Sequence, residues 1–130
     1  NPKVQKMVNE ELDGLKNIHL LEPLNYPQFI LLLKKCFFVI TDSGGIQEEA
    51  PSFGKIVLVT RKVTERNEAI KSGHSILVGT DYDKIVETCT KIIRKNHQAK
   101  GSLINPFGDG KASLNIEKKI LQNIQKFLET

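Results

Sequence analysis

Apolar and polar positions along this chain recur in blocks whose period changes, and each change of period marks a new element. Val4, Met7, Val8, Leu12 and Leu15 follow helical spacing, and Gly14 and Asn17 close that segment. Residues 18–21, Ile-His-Leu-Leu, read as a short strand ending at Glu22-Pro23. Helical spacing returns over residues 26–35. Residues 36–41, Cys-Phe-Phe-Val-Ile-Thr, then form an unbroken apolar run with β-branched and aromatic members. Such a run suits a strand covered on both faces, as in a parallel sheet.

The remainder repeats the alternation. A helix is expected over 46–54, a strand over 56–59, a polar loop over 61–67, one or two helical turns over 68–71 closed by Gly73, and a strand over 75–78. Residues 81–96 give an amphipathic helix with Ile85, Val86, Cys89, Ile92 and Ile93 on one face and a carboxylate at its start. Residues 105–110 form a turn cluster, and a last helix is expected over 113–127, with Leu114, Ile116, Ile120, Leu121, Ile124 and Phe127 as its apolar positions. Strands alternating with helices call for right-handed βαβ units. The predicted fold is therefore α/β, a Rossmann-like parallel sheet flanked by helices, in one domain over residues 1–130. A helix with nothing before it is an unusual opening for such a domain, so the chain is expected to be a piece of a longer protein.

Composition narrows the partners more than the fold. At 39% hydrophobic and 26% charged residues the 130-residue chain is neither disordered nor coiled-coil, and with 6% aromatics and no Trp its core must be built from Ile, Leu and Val. The net charge of +4 is spread out, with 10 basic and 9 acidic groups over residues 1–80 and 9 and 6 over 81–130. No basic stripe emerges, so nucleic acid is not an expected partner. Cys36 and Cys89 sit in apolar or helical patterns without CxxC spacing and read as small core residues in a reduced, cytoplasmic setting. The longest apolar run is broken by Lys34-Lys35 and falls short of a membrane span.

The candidate chemistry lies where the strands end, because ligands of open α/β sheets bind at the carboxyl ends of the strands. Ser43-Gly44-Gly45 follows the most apolar strand and opens a helix. Glycines let backbone approach a ligand closely, and first-turn amides lack intrahelical partners, so the stretch suits a phosphate. Ser43 would either cap the helix or donate its hydroxyl to that phosphate. An ordinary capped helix, with Glu48 and Glu49 merely favoured near its start, accounts for the same residues. Arg61, Thr64, Glu65 and Arg66 follow the next strand, where an arginine is placed to neutralise a second phosphate. No cluster has metal-ligand spacing, and neither metal nor cofactor is expected. His19, His74 and His97 read as structural or exposed.

The run Thr41-Asp42-Ser43-Gly44-Gly45-Ile46-Gln47-Glu48-Glu49-Ala50-Pro51 resembles the signature of the non-hydrolysing UDP-N-acetylglucosamine 2-epimerases. Gly54-Lys55, Thr64-Glu65-Arg66 and Asn105-Pro106-Phe107-Gly108-Asp109-Gly110 follow in the family's order. The resemblance covers essentially the whole chain and corresponds to the carboxyl-terminal part of such an enzyme, whose two-domain architecture is similar to that of GT-B glycosyltransferases. It implies that Ser43, Gly44 and Gly45 hold the diphosphate of UDP, that Glu49 accepts hydrogen bonds from the ribose hydroxyls, and that Phe29 lies near the uracil. Arg66 matches the family arginine close to the phosphates, and Asn67 stands where a proline is usual.

The implied reaction inverts C2 of the sugar by eliminating UDP, forming a glycal and adding UDP back. The family's acid/base carboxylates lie upstream of anything matching Asn1, so no catalytic residue is expected in this chain beyond Arg66 as a phosphate stabiliser. UDP and a UDP-N-acetylhexosamine are the implied partners, without nucleic acid or membrane, and the full-length enzyme is expected to be a homodimer. The donor-binding domain of a GT-B glycosyltransferase and a stand-alone nucleotide-binding module remain as alternatives.

Overall fold

Three strands pair in parallel in the order β1 (Phe38–Thr41), β2 (Ile56–Val59) and β3 (Ser75–Leu77) in the computed structural model of the chain, which describes residues 2–95 and 105–128. Phe38 pairs with Ile56 and Val57 with Ser75, and the two registers continue to Thr41–Val59 and Val59–Leu77. All four residues of β2 are buried. A central strand covered on both faces has no need of a polar side, which is why Ile-Val-Leu-Val reads without alternation.

The helices are α1 (Pro2–Leu12), α2 (Tyr26–Lys35), α3 (Gly44–Glu49), α4 (Asn67–Lys71), α5 (Tyr82–Arg94) and α6 (Ala112–Leu128). Successive side chains of a strand point to opposite faces. Ile56 and Leu58 form one buried cluster with Val78 and with Ile92 of α5, against which Phe38, Ile76, Ile85 and Cys89 pack. Residues 85, 89 and 92 are the packed stripe of α5, while Val86 and Ile93, expected on the same face, are exposed. Asp81 caps this helix through a hydrogen bond that its carboxylate accepts from the Lys84 backbone N–H at 2.9 Å.

The expected helix over 46–54 is shorter and ends at Glu49. A 3-10 turn, Ala50–Phe53, follows, because Pro51 has no N–H with which to continue the helix. Gly54 then closes it at φ +64°. Asn67 is the first residue of α4, the helix position that also favours proline, so the departure from the family residue leaves the element in place.

The chain divides into two compact units, Asn1–Leu32 and Leu33–Thr130. The first holds α1 and most of α2. Asn25 and Gln28 cap α2 reciprocally, the Asn25 side chain accepting from the Gln28 N–H at 3.0 Å and the Gln28 side chain from the Asn25 N–H at 3.3 Å. The strand expected over 18–21 does not form. No other strand lies in this unit among the described residues, so the segment's backbone finds no partner strand within its own unit, and Leu20 and Leu21 are exposed.

At the amino end of β3, His74 is buried. Its Nδ1 lies 3.0 Å from the Ser72 hydroxyl, while Nε2 and the neighbouring Ser75 Oγ have no hydrogen-bond partner among the described residues. Burial lowers the His74 pKa below its ordinary value of 6.5, which keeps the ring neutral. His19 is exposed, Cys36 and Cys89 are half-buried and unpaired, and His97 lies outside the described residues. Among the described residues no helix is long and apolar enough to cross a membrane.

Candidate functional site

Thr41 is the last residue of β1, and its hydroxyl accepts a hydrogen bond from the Ser43 N–H at 3.0 Å, which sets the turn out of the sheet. Ser43 is extended, at φ −74° and ψ 127°, and α3 begins at the next residue. Its hydroxyl does not cap the helix. The capping role that the sequence allowed Ser43 is therefore not the one it plays, and the first-turn amides of Gly44, Gly45 and Ile46 are left without intrahelical partners.

Arg66 arrives from the loop after β2. Its Nε donates to Glu48 Oε1 at 2.9 Å, and a second ion pair joins its Nη1 to Glu65. The guanidinium lies over Gly44, where an added Cβ would stand 3.1 Å from its Cζ and Nη2. A side chain there would displace the guanidinium by a few tenths of an ångström, so glycine allows the close approach. Gly45 has open space instead, with only the Ser43 hydroxyl at 3.9 Å from such a Cβ. Backbone hydrogen bonding, reinforced by the Arg66 and Arg61 charges, holds the Glu65 carboxyl below the usual carboxylate range. Two arginines, two glutamates and a glycine-lined turn thus meet at the carboxyl ends of β1 and β2, with one guanidinium held beside free amides. That arrangement suits an anion with several oxygens.

Glu49 points elsewhere along the same edge. It is half-buried and lines an open cavity of about 890 Å³ with Glu48, Ser52, Phe107, Asp109 and Asn115. Asn105 fixes the far wall. Its Nδ2 donates to the Glu48 carbonyl at 2.8 Å and to Ser52 Oγ at 2.7 Å, and its Oδ1 accepts from the Phe107 N–H at 2.9 Å. The 105–110 turn is therefore tied to α3 across more than 50 residues of sequence, which accounts for an asparagine at its start.

Of the residues singled out from sequence, the structure brings together Ser43, Gly44, Gly45 and Arg66, while Glu49 faces the neighbouring cavity. Phe29 is half-buried on α2 in the other compact unit. Three residues take roles that the sequence pattern does not assign to them. Glu48 holds Arg66, Gln47 is fully buried between two loops, and Asn105 anchors the cavity wall. All three belong to the motifs quoted above, but nothing in a linear pattern says which motif residue points inward. Among the described residues no group of three or more His, Cys, Asp or Glu side chains could hold a metal ion.

Comparison with known proteins gives one consistent answer. The family model described as UDP-N-acetylglucosamine 2-epimerase matches residues 1–121. The UDP-N-acetylglucosamine 2-epimerase of Escherichia coli K12 is 45% identical over 125 residues, covering 95% of this chain and 33% of that protein. The Neisseria meningitidis UDP-GlcNAc 2-epimerase solved with UDP-GlcNAc is similar at a TM-score of 0.79 and 42% identity, over 94% of this chain and 34% of the other. Staphylococcus aureus MnaA solved with UDP is similar at 0.81 and 41% identity, over 99% and 34%. The chain spans about a third of the length of the curated relatives it matches.

Proposed function

The chain belongs to the UDP-N-acetylglucosamine 2-epimerase family, and we propose that it supplies the UDP-binding part, the carboxyl-terminal one, of a cytoplasmic, homodimeric enzyme that interconverts UDP-N-acetylglucosamine and UDP-N-acetylmannosamine. One observation carries the reading: the Arg66 guanidinium is held by Glu48 over Gly44, beside the uncapped amides of the Ser43–Gly45 turn. Neighbouring proteins of the same fold are solved with UDP and with UDP-GlcNAc, which supports UDP as the anion.

In this reading the turn amides and the Ser43 hydroxyl bind the diphosphate. Arg66 meets the negative charge that grows on the β-phosphate as the bond to the sugar breaks. Glu49, at the edge of the open cavity, accepts from the ribose hydroxyls. The groups that remove and return the C2 proton belong to the part of the family that precedes this chain, so the chain alone binds nucleotide without epimerising.

Titration of the chain with UDP, followed by calorimetry or NMR, tests the assignment. Weak binding of equal strength with magnesium and with a chelator is expected, since amides and a guanidinium carry the contact. A strict magnesium requirement would contradict this account of the phosphate site. An NMR time course on UDP-N-acetylglucosamine should show no C2 inversion, and inversion by this chain would refute the placing of the acid/base groups upstream.

A further inference from the structure

Gln47 has no access to solvent, yet it is a polar residue on a six-residue helix. Burying an amide is costly unless both its ends are matched. Here both are: Nε2 donates to the Ser43 carbonyl at 3.2 Å, and Oε1 accepts from the Thr64 hydroxyl at 2.8 Å. The same Thr64 oxygen accepts from the Arg66 backbone N–H at 3.2 Å. A single chain of hydrogen bonds thus runs from the Ser43 carbonyl, through a buried amide and a hydroxyl, to the backbone of Arg66. It ties the loop after β1 to the loop after β2.

Arg66 is therefore held at two points. Glu48 fixes its guanidinium and Thr64 fixes its main chain. With only 3.1 Å between the guanidinium and the place of a Gly44 Cβ, a small shift of the backbone would move the charge out of register with the turn amides. We propose that Gln47 and Thr64 are positioning residues that set Arg66 for the diphosphate, without touching the nucleotide themselves. The inference rests on the UDP reading given above.

Thr64→Val tests it. Valine keeps the shape of threonine but neither donates to Gln47 nor accepts from the Arg66 N–H. The variant should bind UDP about tenfold more weakly than the unaltered chain, the size expected for one net hydrogen bond at a charged site, while uridine binding stays the same. Thr64→Ser restores the hydroxyl and should recover UDP affinity to within about twofold. In the Arg66→Ala background Thr64→Val should cost no further UDP affinity, because the group it positions is gone. Thermal melting of each variant reports whether the fold survives, and Gln47→Leu provides a second break in the same chain. Unchanged UDP affinity in folded Thr64→Val, or equal losses for UDP and uridine, would overturn the inference and leave the UDP reading standing. Failure of the unaltered chain to bind UDP would overturn both.

Discussion

Two helices begin at the carboxyl edge of the same sheet, and they are finished differently. At the start of α5 the chain satisfies itself, with the Asp81 carboxylate accepting from the Lys84 N–H. At the start of α3 Ser43 occupies the equivalent position in the same extended conformation, yet its hydroxyl caps nothing, and a guanidinium is held close by. An end that the chain closes for itself contributes stability. An end left uncapped beside a restrained positive charge gives up part of that stability and is suited to receive an anion.

The largest effect should come from removing the charge at the open end. Arg66→Ala should weaken UDP binding by about 1.5–3 kcal/mol, as for loss of a charge-assisted hydrogen bond. Stability should hardly move, since a partly exposed pair such as Glu48–Arg66 contributes about 0–1 kcal/mol. Isothermal titration and thermal melting of one variant separate the two, and a large loss of stability with affinity intact would reverse their roles. The closed end should behave in the opposite way. Asp81→Ala should cost about 1 kcal/mol of stability, measured by denaturant unfolding, and leave UDP affinity unaltered.

Ser43→Ala sharpens the contrast because it changes the same cap position at the other helix. With no cap to lose, its stability should fall by no more than about 0.5 kcal/mol, while UDP affinity drops. A stability loss as large as that of Asp81→Ala would mean that Ser43 caps α3 in solution.

The smallest effect belongs to the amino end of β3, far from either helix start in function. The folded state lowers the His74 pKa, so at pH values below 6.5 the unfolded chain binds the proton more readily. Stability from this group is full above pH 6.5 and declines as pH falls from there through the folded-state value. Melting temperatures across that range should decline, and His74→Leu should lose that part of the slope. An unchanged slope in the variant would assign the effect to other groups.

What the linear pattern conveyed well was the sheet. Ile56–Val59 carries enough apolar, β-branched character to mark a buried parallel strand. Residues 38–41 mark a parallel strand too, but as the end strand of the order among the described residues β1 is only half-buried and Ile40 is exposed, so the expected cover on both faces is not there. The stripe of Ile85, Cys89 and Ile92 likewise marks the buried face of α5. Residues 18–21 carry the same local preference, but a strand is a relation between two segments, and no partner strand lies in their own unit among the described residues. The site divides along the same line. Glycines, a serine and an arginine at strand ends are visible because their chemistry is unusual there. The partnerships of Gln47, Glu48 and Asn105 were not legible because they span 17, 18 and 57 residues of sequence.

The contrast between the two helix starts is tested most directly by mapping UDP onto the chain through its amide chemical shifts. A titration should move the amide signals of Ser43, Gly44, Gly45 and Arg66 in a saturable, concentration-dependent way, and leave those of Gly79 to Lys84 in place. Saturable shifts centred on the start of α5, with the Ser43–Gly45 signals unmoved, would contradict the account.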